Sequence, residues 1–383
     1  MRKDYLVFGA PYIGEEEIAE VVATLRSGWI GTGPKTAQFE REFAEYVGAK
    51  YAVAVASCTA ALHLSILALN LKPGDEVITT PMTFCATANA ILHSRAVPVF
   101  ADIDPVTQNI DPKDVERKIT TKTRAILPVH LYGRSCDMDA LLALCEKHRL
   151  RFIGDCAHAI ETSWHGQRVG GSGDINCFSF YPTKNVVTIE GGMVTTDDEE
   201  VAATVKRLAL HGMTKDAWKR FGDDGYKHYQ VVHPGYKYNM TDIQASMGLH
   251  QLRRVDSLHA RRQAIWNRYQ EAFKNLPVER PREEEKGTLH AFHLYTLLVD
   301  KNRCGIDRDT FLNRLHKLNI GAGVHYVAVH LQPYYMETFG MTRGMFPHAE
   351  FVSDRTVSLP LSARLTDQDV GDVIEAVRSA LDA

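Results

Sequence analysis

The sequence lacks the features that place a protein in a membrane or on nucleic acid. Its 383 residues contain no apolar run long enough to cross a bilayer. The short apolar stretch at the N-terminus is broken at Gly9 and Pro11 and then meets Glu15 to Glu17, so we expect no signal peptide. The 44 basic residues nearly balance the 47 acidic ones, and a net charge of −3 gives no basic patch for nucleic acid. We therefore expect a cytoplasmic protein that binds neither membranes nor nucleic acid.

Patterns typical of disulfides and metal sites are also missing. The seven cysteines are odd in number and contain no C-x-x-C pair, which indicates reduced and mostly buried thiols. No H-E-x-x-H motif occurs. His325 and His330 are isolated histidines, for which a structural role is the more common one, so no metal site is expected.

Strand-like and helix-like segments alternate through the first half of the chain. This alternation predicts βαβ units, and hence an α/β fold with a mostly parallel sheet covered by helices on both faces. Ligands of such sheets gather at the carboxyl ends of the strands. The strand-like segments are 51–57, 76–79, 97–101, 125–129 and 152–155. The helix-like segments are 59–69, 84–94, 111–119 and 137–148.

The pattern changes after about residue 200. Residues 212–233 are charged, aromatic and irregular, which indicates a mobile loop. A long helix follows, to about Leu276, and beyond it the pattern predicts a strand, a helix, a second strand and a final helix. We predict a large domain of residues 1–250 and a small C-terminal domain of residues 251–383, joined by the long helix.

Four of the arginines on the long helix are compatible with a phosphate-binding patch. Apolar residues at helical spacing predict that one face of the same helix is buried. We therefore expect the arginines to lie on the opposite, solvated face. The arginines are Arg253, Arg254, Arg261 and Arg262, and the apolar residues are Leu252, Val255, Leu258, Ile265 and Tyr269.

Residues 173–196 contain the strongest chemical signal. They predict a buried strand, a turn at Pro182 that carries Lys184, and a Gly-Gly turn into a second strand. Burial between apolar strands lowers the pKa of a lysine, because the ammonium form loses water. A lysine of lowered pKa is a nucleophile that forms Schiff bases. The alternative is an ordinary lysine in a surface loop.

Other polar groups follow strands of the same predicted sheet. The helix start at 57–59 (SCT) and the hydroxyl of Ser179 would hold a phosphate. Asp155 would keep a ring nitrogen protonated, since a carboxylate raises the pKa of a nearby pyridinium. A phosphate, an aldehyde for Lys184 and a pyridine nitrogen together describe pyridoxal 5′-phosphate (PLP).

Two further residues would contact the ring of this cofactor. Phe84 would stack on one face, and His158 would pack on or hydrogen-bond to the other. Each residue also has an ordinary interpretation: Phe84 as core, His158 as a polar loop residue, and Asp155 as a helix cap. In this order along a βαβ chain, the cofactor site explains all three together.

Several motifs resemble those of the DegT/DnrJ/EryC1/StrS sugar aminotransferases, and the resemblance covers nearly the whole chain. They are 27–34 (SGWIGTGP), 56–62 (ASCTAAL), 74–79 (GDEVIT), 155–158 (DCAH), 179–185 (SFYPTKN) and 190–196 (EGGMVTT). Within the family, the sequence is similar to the branch of UDP-4-amino-4-deoxy-L-arabinose–oxoglutarate aminotransferase. That likeness lies in 234–243 (PGYKYNMTDI), 290–294 (HAFHL), 303–309 (RCGIDRD) and 323–326 (GVHY).

The resemblance implies a fold type I PLP enzyme, similar to aspartate aminotransferase, with a mostly parallel seven-stranded sheet and a smaller C-terminal α/β domain. It implies that Lys184 forms the Schiff base and shuttles the proton, with Asp155 at the ring nitrogen and His158 beside the ring. The implied cofactor contacts are Ser57, Cys58, Thr59, Phe84, Asp155, His158, Ser179, Lys184 and Asn239.

Three positions qualify this assignment. The family usually has Ala or Gly where Cys58 stands, so that contact is expected through the backbone N–H, and it often has Glu where this chain has Gly154. Asn239 is expected to reach the cofactor phosphate of a second subunit, which implies a homodimer with shared active sites. Without the resemblance, Asn239 would be interpreted as the N-cap of its own helix.

The expected reaction moves the amino group of L-glutamate onto a nucleotide-linked keto-sugar, at C4 of a UDP-4-keto-sugar, in the biosynthesis of cell-surface glycans or related amino sugars. The products would be 2-oxoglutarate and the amino-sugar, with pyridoxamine 5′-phosphate (PMP) as the second cofactor form. Alternatives are amination at C3, a keto-cyclitol substrate, or a PLP-binding regulator without turnover. Family members that act as dehydratases carry histidine at the position of Lys184. Trp29, the 212–233 loop and residues 323–335 are expected to shape the substrate pocket.

Overall fold

The computed structural model describes residues 2–214 and 229–382. The strands are β1 (Tyr51–Val55), β2 (Glu76–Thr79), β3 (Val97–Phe100), β4 (Thr123–Leu127), β5 (Arg151–Asp155), β6 (Ser163–Trp164), β7 (Gln167–Arg168), β8 (Ile175–Ser179), β9 (Gly192–Thr196), β10 (Tyr295–Leu298) and β11 (Thr356–Leu359). The helices are α1 (Glu15–Ser27), α2 (Pro34–Val47), α3 (Cys58–Ala68), α4 (Cys85–His93), α5 (Pro112–Lys118), α6 (Met138–His148), α7 (Glu199–Ala209), α8 (Asp242–Ala272), α9 (Lys301–Cys304), α10 (Arg308–Lys317), α11 (Pro333–Phe339), α12 (Pro347–Ser353) and α13 (Asp367–Asp382).

The main sheet has seven strands in the order β1-β9-β8-β5-β4-β2-β3. Strand β9 is antiparallel to both of its neighbours, and the remaining pairs are parallel. Strands β1 and β8 both oppose β9, so they run in the same direction. The residues that follow β1, β5 and β8 therefore come to one edge of the sheet. The prediction of an α/β fold with a mostly parallel, seven-stranded sheet is confirmed.

Both faces of this sheet are buried, because side chains alternate between the faces along each strand. On one face, Val53 and Ile153 pack with helix α3. On the other, Ala54 and Phe152 pack with a cluster that includes Phe43 of α2. The short β-branched and aromatic runs of the sequence fit strands that are covered on two sides. Helices lie on both faces of the sheet, as predicted.

Helix α8 runs from this sheet to a second apolar cluster. Leu252 packs in the cluster beneath the sheet. Further along, Tyr269 packs with residues of α10 and α13 and with the antiparallel β10–β11 pair. The N-terminal segment also joins this second group, through backbone hydrogen bonds of Leu6 with Asn319 and Gly321. The division into domains at residue 250 stays a prediction.

The arginines of α8 are each paired with an acidic side chain, and one of them corrects the expectation of a solvated face. Arg262 is only 3% exposed and forms an ion pair with Glu161, which is itself buried. Removing one partner of a buried pair costs about 3–5 kcal/mol, because the remaining charge is uncompensated. The expectation was wrong for Arg262, since its face of the helix packs against the loop that follows β5. The other pairs are Arg253–Glu42, Arg254–Glu17, Arg261–Asp367 and Arg268–Asp367.

Three other expectations concern the cysteines, the loop and the membrane. All seven cysteines are free, and five are buried, as predicted. Most of the loop expected to be mobile lies outside the described residues, but its two ends meet in an antiparallel bridge between Met213 and Val231. Among the residues that the structure describes, no helix combines the length and the apolar character needed to span a bilayer.

Candidate active site

The candidate site lies at the carboxyl edge of the main sheet. Ser57 follows β1, Asp155 ends β5, and Ser179 ends β8. Strands β5 and β8 are neighbours, with Asp155 opposite Cys177 in the register. Lys184 lies in the turn after β8, where its backbone N–H donates to the carbonyl of Tyr181 at 2.8 Å. The structure thus brings together the strand-end groups that the sequence singled out.

Asp155 is a buried carboxyl group that is held by two hydrogen bonds. The hydroxyl of Thr87 donates to Oδ2 at 2.9 Å, and the N–H of Ala157 donates to Oδ1 at 3.1 Å. Burial raises the pKa of Asp155, while these hydrogen bonds and the charge of Lys184 oppose the rise. No helix begins at this point of the chain, so the interpretation of Asp155 as a helix cap is wrong. A cationic partner stabilises a buried carboxylate of this kind, because it compensates the charge that has lost its water.

The Lys184 amine faces the same region and is not an ordinary surface lysine. Burial lowers its pKa from the usual value of 10.5 to about 8, against the opposing influence of Cys58 and Asp155. Among the described residues, its Nζ forms no hydrogen bond or ion pair. A neutral amine is therefore available near pH 8 as a nucleophile and as a base.

A cradle for an anion lies at the start of α3. The first helical hydrogen bond runs from the N–H of Ala61 to the carbonyl of Ser57, so the N–H groups of Cys58 and Thr59 are not used within the helix. The Ser57 oxygen accepts a hydrogen bond from Ala60, which leaves its proton free to donate. Strand β9 lies so close that a Cβ on Gly192 would stand 2.6 Å from the Cys58 nitrogen.

Two further features of the cradle concern Cys58 and Ser179. Burial raises the pKa of the Cys58 thiol well above its usual value, so the thiol is neutral. An anion would therefore meet the backbone N–H of Cys58 and not a thiolate. Ser179 accepts a long hydrogen bond of 3.4 Å from the N–H of Tyr181 and keeps its own hydroxyl proton. The backbone N–H of Cys58 and the hydroxyl of Ser179 can therefore donate to an anion, and the neutral thiol does not repel it.

The two ring-contacting candidates differ in exposure. Phe84 is 57% exposed at the start of α4, with its ring centroid 5.8 Å from that of Tyr326, so its interpretation as core is wrong. His158 is buried, and its Nδ1 accepts a hydrogen bond from the N–H of Tyr132 at 3.2 Å. Burial, with the neighbouring Lys184, holds the pKa of His158 well below its usual value. The neutral ring therefore carries its proton on Nε2 and donates it to the Tyr326 oxygen at 3.1 Å.

Asn239 lies just before α8 but does not cap it. Thr241 is the cap, in a capping box with Gln244. The Asn239 amide instead donates to the Thr32 hydroxyl at 2.6 Å, and its Oδ1 is buried without a partner among the described residues. The interpretation of Asn239 as an N-cap is therefore wrong. The contact with a second subunit's cofactor stays a prediction.

Sequence reasoning missed several residues that surround the site. Thr87 donates a hydrogen bond to Asp155. The sequence places Thr87 three residues after Phe84, and this spacing indicates that the two side chains are neighbours at the start of α4. Tyr326 and His293 belong to motifs that carried the resemblance but had no role assigned to them. The Asn185 side chain contacts His293 at 3.1 Å, across a sequence distance that no local pattern reveals.

The chemistry of these groups fits PLP. The cradle at α3 offers N–H and hydroxyl donors for a phosphate. The amine of Lys184, which has no hydrogen-bond partner among the described residues, suits an aldehyde, and the buried Asp155 carboxyl suits a protonated ring nitrogen. Phe84 and His158 would supply the two faces for a flat ring. No residue placed at the site by the structure conflicts with this cofactor.

We expect the reaction of the cofactor-free protein with PLP to reflect the pKa of Lys184. Only the neutral amine attacks an aldehyde, and the pKa of about 8 makes that form dominant well below the usual pKa of 10.5. The rate constant of cofactor capture, followed by absorbance, should rise with pH and level off above about pH 8. A rate that keeps rising to pH 10 would contradict the lowered pKa.

The fold and the donor set together define a PLP-dependent transferase of fold type I. The sequence profile of the DegT/DnrJ/EryC1/StrS aminotransferase family matches residues 11–378. The chain belongs to this family.

Three comparisons illustrate the relationship. The chain is 51% identical over 379 residues to the spore coat polysaccharide biosynthesis protein SpsC of Bacillus subtilis (strain 168), covering 98% of this chain and 97% of that protein. The PLP form of Spr1654 from Streptococcus pneumoniae superimposes with a TM-score of 0.92 at 36% identity, covering 99% of each chain. DesI, solved in the presence of its TDP-sugar product, has a TM-score of 0.87 at 31% identity, covering 100% of this chain and 94% of its own. The protein is a PLP-dependent sugar aminotransferase.

Proposed function

We propose that the protein transfers the amino group of L-glutamate to the keto carbon of a nucleotide-linked sugar. The proposed substrate is a UDP-4-keto-sugar aminated at C4, for a cell-surface glycan or a related amino-sugar product. The observation that carries the reaction is the Lys184 amine, which lies near the buried Asp155 with a pKa of about 8. The nucleotide link draws support from DesI, which was solved with a TDP-sugar product. The glycan pathway draws support from the name of SpsC.

When bound, PLP supplies an electron sink that stabilises negative charge on the carbon bonded to the amine nitrogen. In this proposal, the neutral Lys184 amine removes the proton from the α-carbon of the amino donor, and it returns a proton to the sugar carbon in the second half of the reaction. The carboxylate of Asp155 holds the proton on the ring nitrogen. Phe84 and His158 fix the plane of the ring, so that the proton transfers occur along one direction.

A cleft beside the site supports a substrate larger than an amino acid. It has a volume of about 680 Å³ and is lined by Phe84, Tyr326, Tyr334 and the amides of Asn89 and Gln332. Among the residues that the structure describes, no Lys, Arg, Asp or Glu lines this cleft. This volume lies within the range of small-molecule sites, and the wall suits an uncharged ring. A cavity of about 650 Å³ between α2 and α7 contains none of the proposed catalytic residues. The first cleft is therefore the one proposed for the sugar substrate.

Substrate profiling tests the proposed position of amination. We expect amination of a UDP-4-keto-sugar with glutamate as donor, and weaker turnover of the dTDP and GDP analogues. The products should be analysed by mass spectrometry and NMR, which locate the new amine on the ring. A 3-amino product, or turnover confined to a keto-cyclitol, would instead establish one of the two alternative substrates. The interpretation as a regulator without turnover has no support in an aminotransferase family.

The proposed homodimer rests on two features of the chain. The Asn239 amide donates one N–H to Thr32 just before α8, and its second N–H has no hydrogen-bond partner among the described residues. Helix α1 also exposes an apolar row, Ile18, Val22 and Leu25, at the spacing of one helix face. A second subunit on this side would cover such a row. The Asn239 amide would then donate to the phosphate of that subunit's cofactor.

Mixing Asn239→Ala with the inactive Lys184→Ala tests whether the sites are shared. Asn239→Ala should weaken cofactor retention, because each site loses one phosphate donor. When Asn239→Ala and Lys184→Ala proteins exchange subunits, one site of each mixed dimer has an intact Lys184 and receives an intact Asn239. Activity should therefore return above that of either variant alone. Mixed dimers that form, as shown by mass spectrometry, but remain inactive would exclude the shared site.

A further inference from the structure

A buried polar network surrounds Asn185, the residue that follows Lys184. Its Nδ2 donates to Oε2 of Glu161 at 2.9 Å and to the carbonyl of Ala291 at 2.9 Å. Its Oδ1 lies 3.1 Å from Nδ1 of His293. Both N–H bonds of the amide are thus used, and two separate parts of the chain, at Glu161 and at 291–293, converge on one carboxamide. None of these three hydrogen bonds is made within the turn of Asn185, so they join the turn to distant parts of the chain.

The network is anchored in the body of the protein. Glu161 is 1% exposed and pairs with Arg262 of α8, which is 3% exposed. The position of Ala291 and His293 is fixed by backbone hydrogen bonds of this segment to Tyr132 and Gly133. Asn185 therefore meets partners that are held from two sides. A carboxamide in such surroundings has one favoured position, because any displacement breaks charge-assisted or buried hydrogen bonds.

The hydrogen bonds also determine the protonation of His293. The Asn185 nitrogen faces a carboxylate and a carbonyl, which only accept, so its oxygen faces His293. His293 must then donate from Nδ1. Burial lowers its pKa well below the usual value, and the nearby Lys184 lowers it further, so the ring is neutral with its proton on Nδ1. The His293 ring lies 4.4 Å from the ring of His158, centroid to centroid.

We propose that Asn185 and His293 are positioning residues that link the Lys184 turn to the His158 ring. Asn185 holds the turn from the residue next to Lys184, and His293 carries the same constraint to the histidine that faces the cofactor. This inference rests on the proposed roles of Lys184 and His158. One unit keeps the amine and the ring contact in register: Asn185 is hydrogen-bonded to His293, and the His293 ring packs on His158. The Glu161–Arg262 pair anchors this unit.

The consequence for catalysis is geometric. A displacement of a reacting group by 1 Å costs about 10²-fold in rate, because the proton transfer loses its alignment. Loss of the Asn185 carboxamide also frees the turn to move toward water. Lys184 would then regain hydration, and its pKa would rise from about 8 toward the ordinary lysine value.

The first test is Asn185→Ala, read by two measurements. We expect kcat to fall by roughly 10- to 100-fold with little change in KM. In the cofactor-free protein, the pH at which PLP capture levels off should move upward from about 8. The second measurement does not depend on turnover, and a general loss of stability would not shift it.

Asn109→Ala is the matched control. Asn109 is a buried asparagine whose amide also makes three hydrogen bonds, to the carbonyls of Arg134 and Ser135 and from the N–H of Leu131. Its loss should lower the melting temperature to a similar degree but leave the pH of PLP capture near 8. If both variants leave this pH unchanged, or if both raise it equally, Asn185 has no positioning role.

A pair of substitutions at His293 tests the second member of the unit. The amide nitrogen of an asparagine stands where Nδ1 of histidine stands, so His293→Asn keeps a donor for Asn185. His293→Gln places its nitrogen one bond further out and loses that donor. We expect His293→Asn to keep the wild-type pH of PLP capture and His293→Gln to raise it. The same pH for both variants would overturn the proposed role of His293.

Lys184→Ala separates this inference from the proposed function. If Lys184→Ala keeps turnover, the proposed catalytic role fails, whatever Asn185 does. If Lys184→Ala is inactive while Asn185→Ala matches the wild type in kcat and in the pH of PLP capture, the proposed function stands and only the positioning role is wrong.

Discussion

Replacement of Lys184 with alanine should abolish amino transfer and leave the fold intact. In the proposed mechanism, the side chain supplies both the amine that holds the cofactor and the base that moves the proton. General acid–base groups alone are worth roughly 10²–10⁴-fold, so the loss should exceed about 10²-fold. Because Nζ forms no hydrogen bond or ion pair with a described residue, its removal should change the melting temperature little. The measurements are steady-state amination of the sugar and thermal unfolding.

The control for this experiment is Lys147→Ala. Lys147 is an exposed lysine that pairs with Glu116 on the surface, and its loss should leave the rate unchanged. Retention of more than about a hundredth of the wild-type rate by Lys184→Ala would show that another group moves the proton. That outcome would remove the basis for placing the chemistry at the turn after β8.

Asp155→Asn should have the second-largest effect. Asparagine keeps the shape of the side chain but carries no charge. Its one oxygen can accept from the N–H of Ala157, and its NH2 group can donate to the Thr87 hydroxyl once that hydroxyl has rotated. The ring nitrogen of the cofactor then loses the partner that keeps it protonated. Removal of one preorganised electrostatic group costs about 10²–10³-fold in kcat, which is the expected loss. Cofactor binding should persist, because the Schiff-base lysine and the phosphate cradle are unchanged.

Thr87→Val is the comparison variant for Asp155. It removes one hydrogen bond to the carboxylate and keeps its charge, so its effect on kcat should be much smaller. Absorbance of the bound cofactor and the rate of amination should be measured for both variants. An unchanged rate in Asp155→Asn would mean that the carboxylate is only structural, and the assignment of the ring nitrogen contact would then be wrong.

Much of the fold was predictable because a parallel sheet covered by helices has a recognisable sequence pattern. Short β-branched runs alternate with helical segments, and such strands deliver the residues after them to one edge. For this reason the sequence alone could place Ser57, Asp155 and Lys184 at the same edge of the sheet. The bounds predicted for β2, residues 76–79, agree with the structure, because a local turn signal marks the start of this strand.

The contacts around the site were harder to predict from the sequence. Asn185 and His293 meet across 108 positions, and Glu161 and Arg262 across 101, with no periodicity to link them. Helical spacing predicted the apolar face of α8. It did not show that Arg262, which lies beside that face, would pair with the buried Glu161. The wrong interpretation of Asn239 as a cap had a signal against it in the sequence. Thr241 and Gln244 have the spacing of a capping box two residues later.

The most direct test of the central claim is the addition of L-glutamate to the PLP-loaded protein in the absence of any sugar. The account predicts that the absorbance band of the Lys184-bound cofactor disappears as 2-oxoglutarate forms in a stoichiometric amount, and that a nucleotide-linked keto-sugar restores it. Lys184→Ala, given PLP in the same way, should not complete this cycle. A band that glutamate leaves unchanged, with no 2-oxoglutarate released, would contradict the proposal that this chain transfers an amino group from glutamate.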